Sequence, residues 1–354
     1  SKGMTSLYYA FERAEYPAAV ATVTSVSKAI LQVAALLLGF GMIGLAAVSI
    51  FNNVLTLAIL AYAGRDMIGR PALRVEVAKI RTMAFESFPL MLNHFLATIF
   101  FQIDVVILEA LLGAAIVGKY SVGYRWLLAL NIIPAYFTTA LFPRLSQQAM
   151  TDRAALKRGY QLALKLLAFL VFPAAVLLTA LAYPLTILLG GQAFMPEGAL
   201  ALQVIAWSMP IGWLNSLTQY VLIALNRQRA LTWAFAAGVT FNITANLIFI
   251  PIYGYLTAAV TTILSEALLL AGFMWILRAD VRGVNPLAVL LKPALAAAAM
   301  AACIWLGSGV NLALGALLGV IVYPLVWWGL RPLNGEERAL IGRLLPQRSK
   351  AVIY

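Results

Sequence analysis

Ten apolar segments run almost end to end through this chain, and the basic residues collect in alternate gaps between them. A run of ~20 apolar residues can cross the hydrocarbon core of a bilayer as a helix. The segments lie near Pro17–Phe40, Met42–Ala63, Met83–Leu112, Ala115–Phe142, Tyr160–Leu181, Ala199–Leu225, Leu231–Ile250, Tyr255–Leu277, Leu287–Leu306 and Leu312–Leu330. The pattern predicts an all-α polytopic membrane protein. With 63% hydrophobic and 11% charged residues, the chain is unlike a soluble domain of its size.

The formal net charge of +12 raises the question of nucleic acid, and the placement of the charge answers it. Twenty of the 25 Lys and Arg residues fall in one set of loops and termini: Lys2 and Arg13, the Arg65–Arg81 stretch, Arg144–Arg158, Arg227 and Arg229, Arg278 and Arg282, and Arg331–Lys350. The opposite loops, around Gly41, Gly113, Gly190, Pro251 and Gly307, carry almost none. This asymmetry predicts that both ends of the chain are cytoplasmic. The excess charge then meets anionic lipid headgroups, and no nucleic-acid partner is expected. The basic stretch from Gly64 to Thr82 is long enough for a short interfacial helix.

The segment Phe40-Gly41-Met42-Ile43, followed by Ala46, Ala47 and Ile50, resembles Tyr253-Gly254-Tyr255-Leu256, followed by Ala259, Val260 and Ile263. Repeated halves are a common plan in transporters. On that reading, residues 1–82 are the end of a first lobe with two membrane helices. Residues 83–280 are a complete second lobe of six, and residues 281–354 hold two appended helices and a basic cytoplasmic tail. Four helices of the first lobe would then precede Ser1; the alternative is that ten crossings are the whole protein.

Ionisable groups at membrane depth are costly and mark function by default. Lys28 lies near the middle of the first crossing, Asp104 in the third, Arg125 near the middle of the fourth and Glu266 near the middle of the eighth. Lys165 and Lys292 sit closer to helix ends, where a long side chain can snorkel to the headgroups. Glu86, Asn93 and Asp104 fall within about 20° of one helical stripe, which should face other helices or a wet cavity. Pro89 is placed to bend that helix. His94 reads better as a packed or interfacial side chain than as a proton carrier. Tyr120, Tyr124 and Asn131 share a face. Arg125 either pairs with Asp104 or grips a phosphate, for which its planar fork is suited. The i,i+4 amides Asn215/Gln219 and Asn242/Asn246 read as interhelical hydrogen-bonding groups. Cys303, alone in an apolar run, reads as a buried inert thiol.

No phosphate-binding Walker loop occurs, and one His and one Cys make a zinc site improbable. A membrane glycosyltransferase or polymerase would place acidic residues in external loops, where only Glu109 and Glu197 are on offer. A transporter, not an enzyme, is therefore expected, with no cofactor.

Phe101-Gln102-Ile103-Asp104-Val105-Val106-Ile107-Leu108, Val117-Gly118-Lys119-Tyr120, Tyr124-Arg125 and Leu141-Phe142-Pro143-Arg144-Leu145-Ser146 together resemble the start of the second lobe in Wzx-like polysaccharide flippases. Their superfamily also holds multidrug (MATE) exporters and the lipid II flippase. The stretches Tyr220–Arg229 and Asn242–Tyr255 are similar to that family as well. The resemblance implies a MATE-like fold of fourteen helices, two six-helix lobes around a cavity plus two more. It implies a substrate, an undecaprenyl-pyrophosphate-linked oligosaccharide flipped across the bacterial cytoplasmic (inner) membrane for polysaccharide or O-antigen synthesis. It implies a pyrophosphate or sugar contact for Arg125, Lys28, Lys119, Tyr124 and Asn93, and a gating or ion-coupling role, with Na+ or H+, for Asp104 and Glu266. Membrane lipids and the polymerase and export machinery of the same pathway are its expected partners. The rival within transport is a multidrug cation antiporter, which needs acidic or aromatic cavity walls.

The repeat arithmetic makes one prediction outside the chain. The genomic reading frame should extend upstream of Ser1 by ~130 codons with the hydropathy of four helices; a stop codon just before Ser1 would refute it.

Overall fold

A computed structural model describes residues 2–11, 13, 15–65, 77–281, 283–284, 286–309, 311–335 and 337. The body of the proposed interfacial helix and the tail from Arg338 lie outside the described residues, as do Arg282 and the side chains of Lys2, Glu86 and Pro89. The chain divides into two compact units, Ser1–Ile80 and Arg81–Tyr354.

In the first unit, α1 (Lys2–Ala10) lies against a hairpin of α2 (Glu15–Leu37) and α3 (Gly41–Ala63). The Tyr8 hydroxyl donates to the Leu60 carbonyl at 2.8 Å, and its ring stacks on Tyr16. Val23, Val26, Ile30 and Val33 are exposed along α2, as a lipid-facing surface requires.

The second unit opens with α4 (Val77–Leu112), α5 (Ala114–Leu130), α6 (Ile132–Thr151), α7 (Arg153–Ala180) and α8 (Ala182–Gly190). It continues with α9 (Glu197–Ile205), α10 (Met209–Ala224), α11 (Gln228–Tyr253), α12 (Leu256–Leu277), α13 (Pro286–Ser308) and α14 (Leu312–Gly329). Its core forms around α7, where Leu156, Tyr160, Leu164, Leu167 and Val171 are wholly buried. These pack with Leu202, Leu214 and Leu217 from α9 and α10. Asp152 makes the one-residue turn before α7 and caps it, its Oδ1 accepting the Ala154 and Ala155 N–H groups at 2.9 and 3.0 Å. Of the two appended helices, α14 is held to α7 by Phe169, whose ring meets Tyr323 and Trp327, and α13 packs on α7 beside it. Within that last pair, a Cβ on Gly307 would come within 2.6 Å of the Gly315 Cα, so only glycine permits the approach.

Nine helical spans among the described residues are long and apolar enough to cross a membrane, and the protein is a multi-pass membrane protein. The expected tenth, Ala199–Leu225, is a broken helix. Pro210 has no N–H to give the Ala206 carbonyl, so the Met209 N–H takes it in a tighter turn, and Ala206–Ser208 is 3-10. Breaks at Asn131 and Leu181 likewise stand three residues before Pro134 and Pro184. The fourth crossing thus runs through a break to Thr151. The resembling turns at Gly41 and Gly254 both use the left-handed region, with φ 53° and 77°, and each joins two antiparallel membrane helices.

At the Asn131 break, the side-chain Oδ1 accepts the indole N–H of Trp213, a residue 1% exposed, at 3.0 Å. Asn131→Leu should orphan that donor and cost about 1–3 kcal/mol, while Asn131→Leu with Trp213→Phe should recover part of the loss. Thermal melting of the four proteins in detergent checks this; equal costs for the single and double variants would contradict it.

Candidate functional site

The polar residues on the membrane helices of the second unit sort into a buried set and an exposed set. Asp104 on α4 is 2% exposed. Its Oδ1 accepts the Val105 backbone N–H at 2.9 Å and its Oδ2 accepts the Tyr120 hydroxyl at 3.1 Å. Tyr120 stacks on Tyr124, one helical turn along α5, and the Tyr124 hydroxyl donates to the Phe101 carbonyl at 2.6 Å. Two hydroxyls on α5 thereby tie it to α4.

Glu266 on α12 is the second buried carboxylate. Its Oε2 accepts the Asn215 Nδ2 at 2.6 Å, and the same nitrogen reaches the Glu266 main-chain carbonyl at 2.8 Å. Gly212, one turn before Asn215, leaves the space: a Cβ there would stand 3.1 Å from Oε1. Beside it, Asn246 donates to Asn242, and Asn242 donates to Ser265 at 3.1 Å. Of the amides expected to join helices, Asn215 and Asn242 do so, whereas Asn246 bonds Asn242 on its own helix; Asn215 also serves an acid. Among the described residues no cation stands within ion-pair distance of Asp104 or Glu266. Nor do three His, Cys, Asp or Glu side chains gather there as metal ligands.

Arg125 belongs to the exposed set. It follows Tyr124 on α5, about 16 Å along the helix from Ala114. No described residue bonds or pairs with its guanidinium. The alternative in which Arg125 pairs with Asp104 is therefore corrected: Tyr120 and the Val105 amide hold that carboxylate, and Arg125 is exposed and makes no ion pair with it. Lys28, described within the first unit alone, is half-buried on α2 and has no described ion-pair partner.

Two expected ligands are placed otherwise. Asn93 is 5% exposed and donates to the Gln228 carbonyl at 3.3 Å, so it joins α4 to the start of α11. Lys119 is paired with Glu197 at 2.8 Å, which satisfies its charge at the end of the bundle. Asn93 and Asp104 do share a buried stripe facing other helices, as their spacing predicts. His94 is not packed: it is exposed on its unit, in line with exposed Thr98 and Gln102 at i,i+4 intervals. That second polar stripe was legible in the spacing. Cys303 is half-buried.

A family model described as polysaccharide biosynthesis protein matches residues 15–197. The chain belongs to that family. The matched stretch of this polysaccharide biosynthesis protein contains Lys28, Asn93, Asp104, Lys119, Tyr124 and Arg125, whereas Asn215 and Glu266 lie beyond it. Among solved structures, the lipid II flippase MurJ in its inward closed conformation is similar, with TM-score 0.71 and 14% identity. The likeness covers 97% of this chain and 71% of that one. At that identity it establishes the fold, the flippase-type helical architecture that the sequence resemblance implies. No curated protein matches the sequence.

The hydrogen bond and charge of Lys119 hold the Glu197 carboxyl below the usual glutamate range. A depressed acid stabilises the fold above its unfolded pKa and loses that contribution as pH falls through the folded value. Lys119→Met should therefore melt below the parent at neutral pH, and the gap should begin to narrow as the pH falls through the ordinary glutamate range and close only below the lowered folded value. A gap that persists in acid would show that the pair does not account for it.

Proposed function

We propose that the protein flips an undecaprenyl-pyrophosphate-linked oligosaccharide from the inner to the outer leaflet of the bacterial cytoplasmic membrane, with both ends of this chain cytoplasmic. The observation that carries the reading is Arg125, an exposed guanidinium at bilayer depth to which no described residue is paired. A permanent cation is not left uncompensated in hydrocarbon, and a pyrophosphate supplies the planar oxygen pairs that a guanidinium binds bidentately. Family membership and fold support a lipid-linked saccharide as cargo.

In this mechanism Arg125 and Lys28 lower the cost of bringing the anionic head to mid-bilayer, while the polyprenyl tail stays in lipid. Tyr124, with His94, Thr98 and Gln102, offers hydroxyl, imidazole and amide groups to the sugars. Rocking of two lobes exposes the site alternately to each side. An inside-negative potential favours the outward movement of an anion by ~2.3 kcal/mol per charge per 100 mV. Asp104 and Glu266, buried without a described cation, are the groups through which Na+ or H+ could bias the two states. A multidrug antiporter fits less well, because these carboxylates are buried among helices and not displayed to a drug cation.

The test is glycan export in a strain lacking the chromosomal copy, at matched protein levels. Arg125→Lys should retain part of the export and Arg125→Ala should lose at least about tenfold, the loss of a charge-assisted contact. Undiminished export in the Ala variant rejects the role. The wild-type protein should not confer resistance to cationic drugs; resistance without an export phenotype would favour the antiporter.

A further inference from the structure

A cavity of about 290 Å³ lies in the second unit where α7, α13 and the end of α14 converge. Its walls carry an excess of donors. Lys165 and Gln161 come from α7, Lys292 from α13 and Asn334 from the segment after α14. Lys157, one turn before Gln161, has its Nζ beside Gly283, which also lines the cavity. Trp327 contributes an indole whose buried N–H has no acceptor, although the residue is only 6% exposed. Among the described residues one carboxylate stands against these groups: Glu337 accepts from Lys165 at 2.7 and 2.8 Å and from the Asn334 N–H at 2.7 Å. Lys292 spends one donor on the Arg331 carbonyl at 3.0 Å.

The balance is short of negative charge and of acceptor oxygens. A phosphate supplies both, with oxygens enough for Lys292, Gln161 and the remaining Lys165 donor. The position selects a lipid. Lys292 and Trp327 stand a few residues inside the ends of their apolar spans, next to the basic residues that follow, where long side chains can reach headgroup phosphates. Ala288, Val289 and Pro293 form apolar walls, and one turn deeper on α13 Leu295 is half exposed, where acyl chains would run.

We propose that this cavity is a binding site for the phosphate of an anionic glycerophospholipid, with the Glu337 carboxylate acting as a built-in competitor for Lys165. Occupation of the site by lipid would link the two appended helices to α7 through the headgroup and free the segment that carries Glu337. The site is separate from Arg125, and the proposal does not depend on the cargo.

The experiment uses the purified full chain in detergent, with retained phosphatidylglycerol and phosphatidylcholine counted by native mass spectrometry. Phosphatidylglycerol should be preferred, and Lys165→Gln with Lys292→Gln should weaken its retention by roughly twenty-fivefold, about fivefold for each lysine at a membrane surface. Arginine at both positions should restore it. Glu337→Gln leaves both lysines in place and should raise retention several-fold, which a purely structural Lys165–Glu337 tie would not do. Three results would overturn the proposal: equal retention of the two lipids by the parent, undiminished retention by the double Gln variant, or lower retention in Glu337→Gln. Displacement of phosphatidylglycerol by millimolar inorganic phosphate would also overturn it, by assigning the cavity to the free ion.

Discussion

Hydrocarbon offers no hydrogen bonds, and the structure follows from that one constraint. Every polar group that enters the membrane spans must find a partner within the protein or face something other than lipid. The backbone meets the demand with helices, and where proline removes a donor the repair is local. Met209 takes the carbonyl that Pro210 cannot, and the Asn131 side chain at the break before Pro134 gains the indole N–H of Trp213. The second repair also fixes a contact between helices. That proline therefore shapes the packing as well as the bend.

The same constraint sorts the ionisable side chains. Asp104 and Glu266 are withdrawn into the bundle, each held by a neutral donor from a neighbouring helix, Tyr120 and Asn215 respectively. A carboxylate held by neutral groups alone has no fixed countercharge beside it, unlike an ion-paired one. Arg125 takes the opposite course and is left outside with its charge unmet. A protein that carries an anion across a membrane needs such a cation accessible, because a guanidinium already neutralised by Asp104 would have little to offer a phosphate.

Local features of the site were legible from spacing. The depth of Arg125 and of the two acids follows from counting residues within an apolar run, and the common stripe of Asn93 and Asp104 follows from the period of the helix. Partners were less legible. Lys119 looked free because Glu197 lies 78 residues away, and Lys165 looked like a snorkelling lysine because Glu337 lies 172 residues away. Asn93 looked like a ligand until the start of α11 was seen to cover it. The His94, Thr98 and Gln102 stripe has a clear i,i+4 signal, which the reading of His94 as packed or interfacial left unused.

The sequence by itself determined that the chain lives in a membrane, where its helices run and at what depth its charges sit. Those properties are sums over neighbouring residues, and the bilayer acts on the sums. Only the tertiary structure decided which of those charges are spent on one another and which remain open. That choice is made by helices far apart in the chain, whose packing depends on shape and on close approaches such as Gly307 to Gly315, and no local property of the sequence records it.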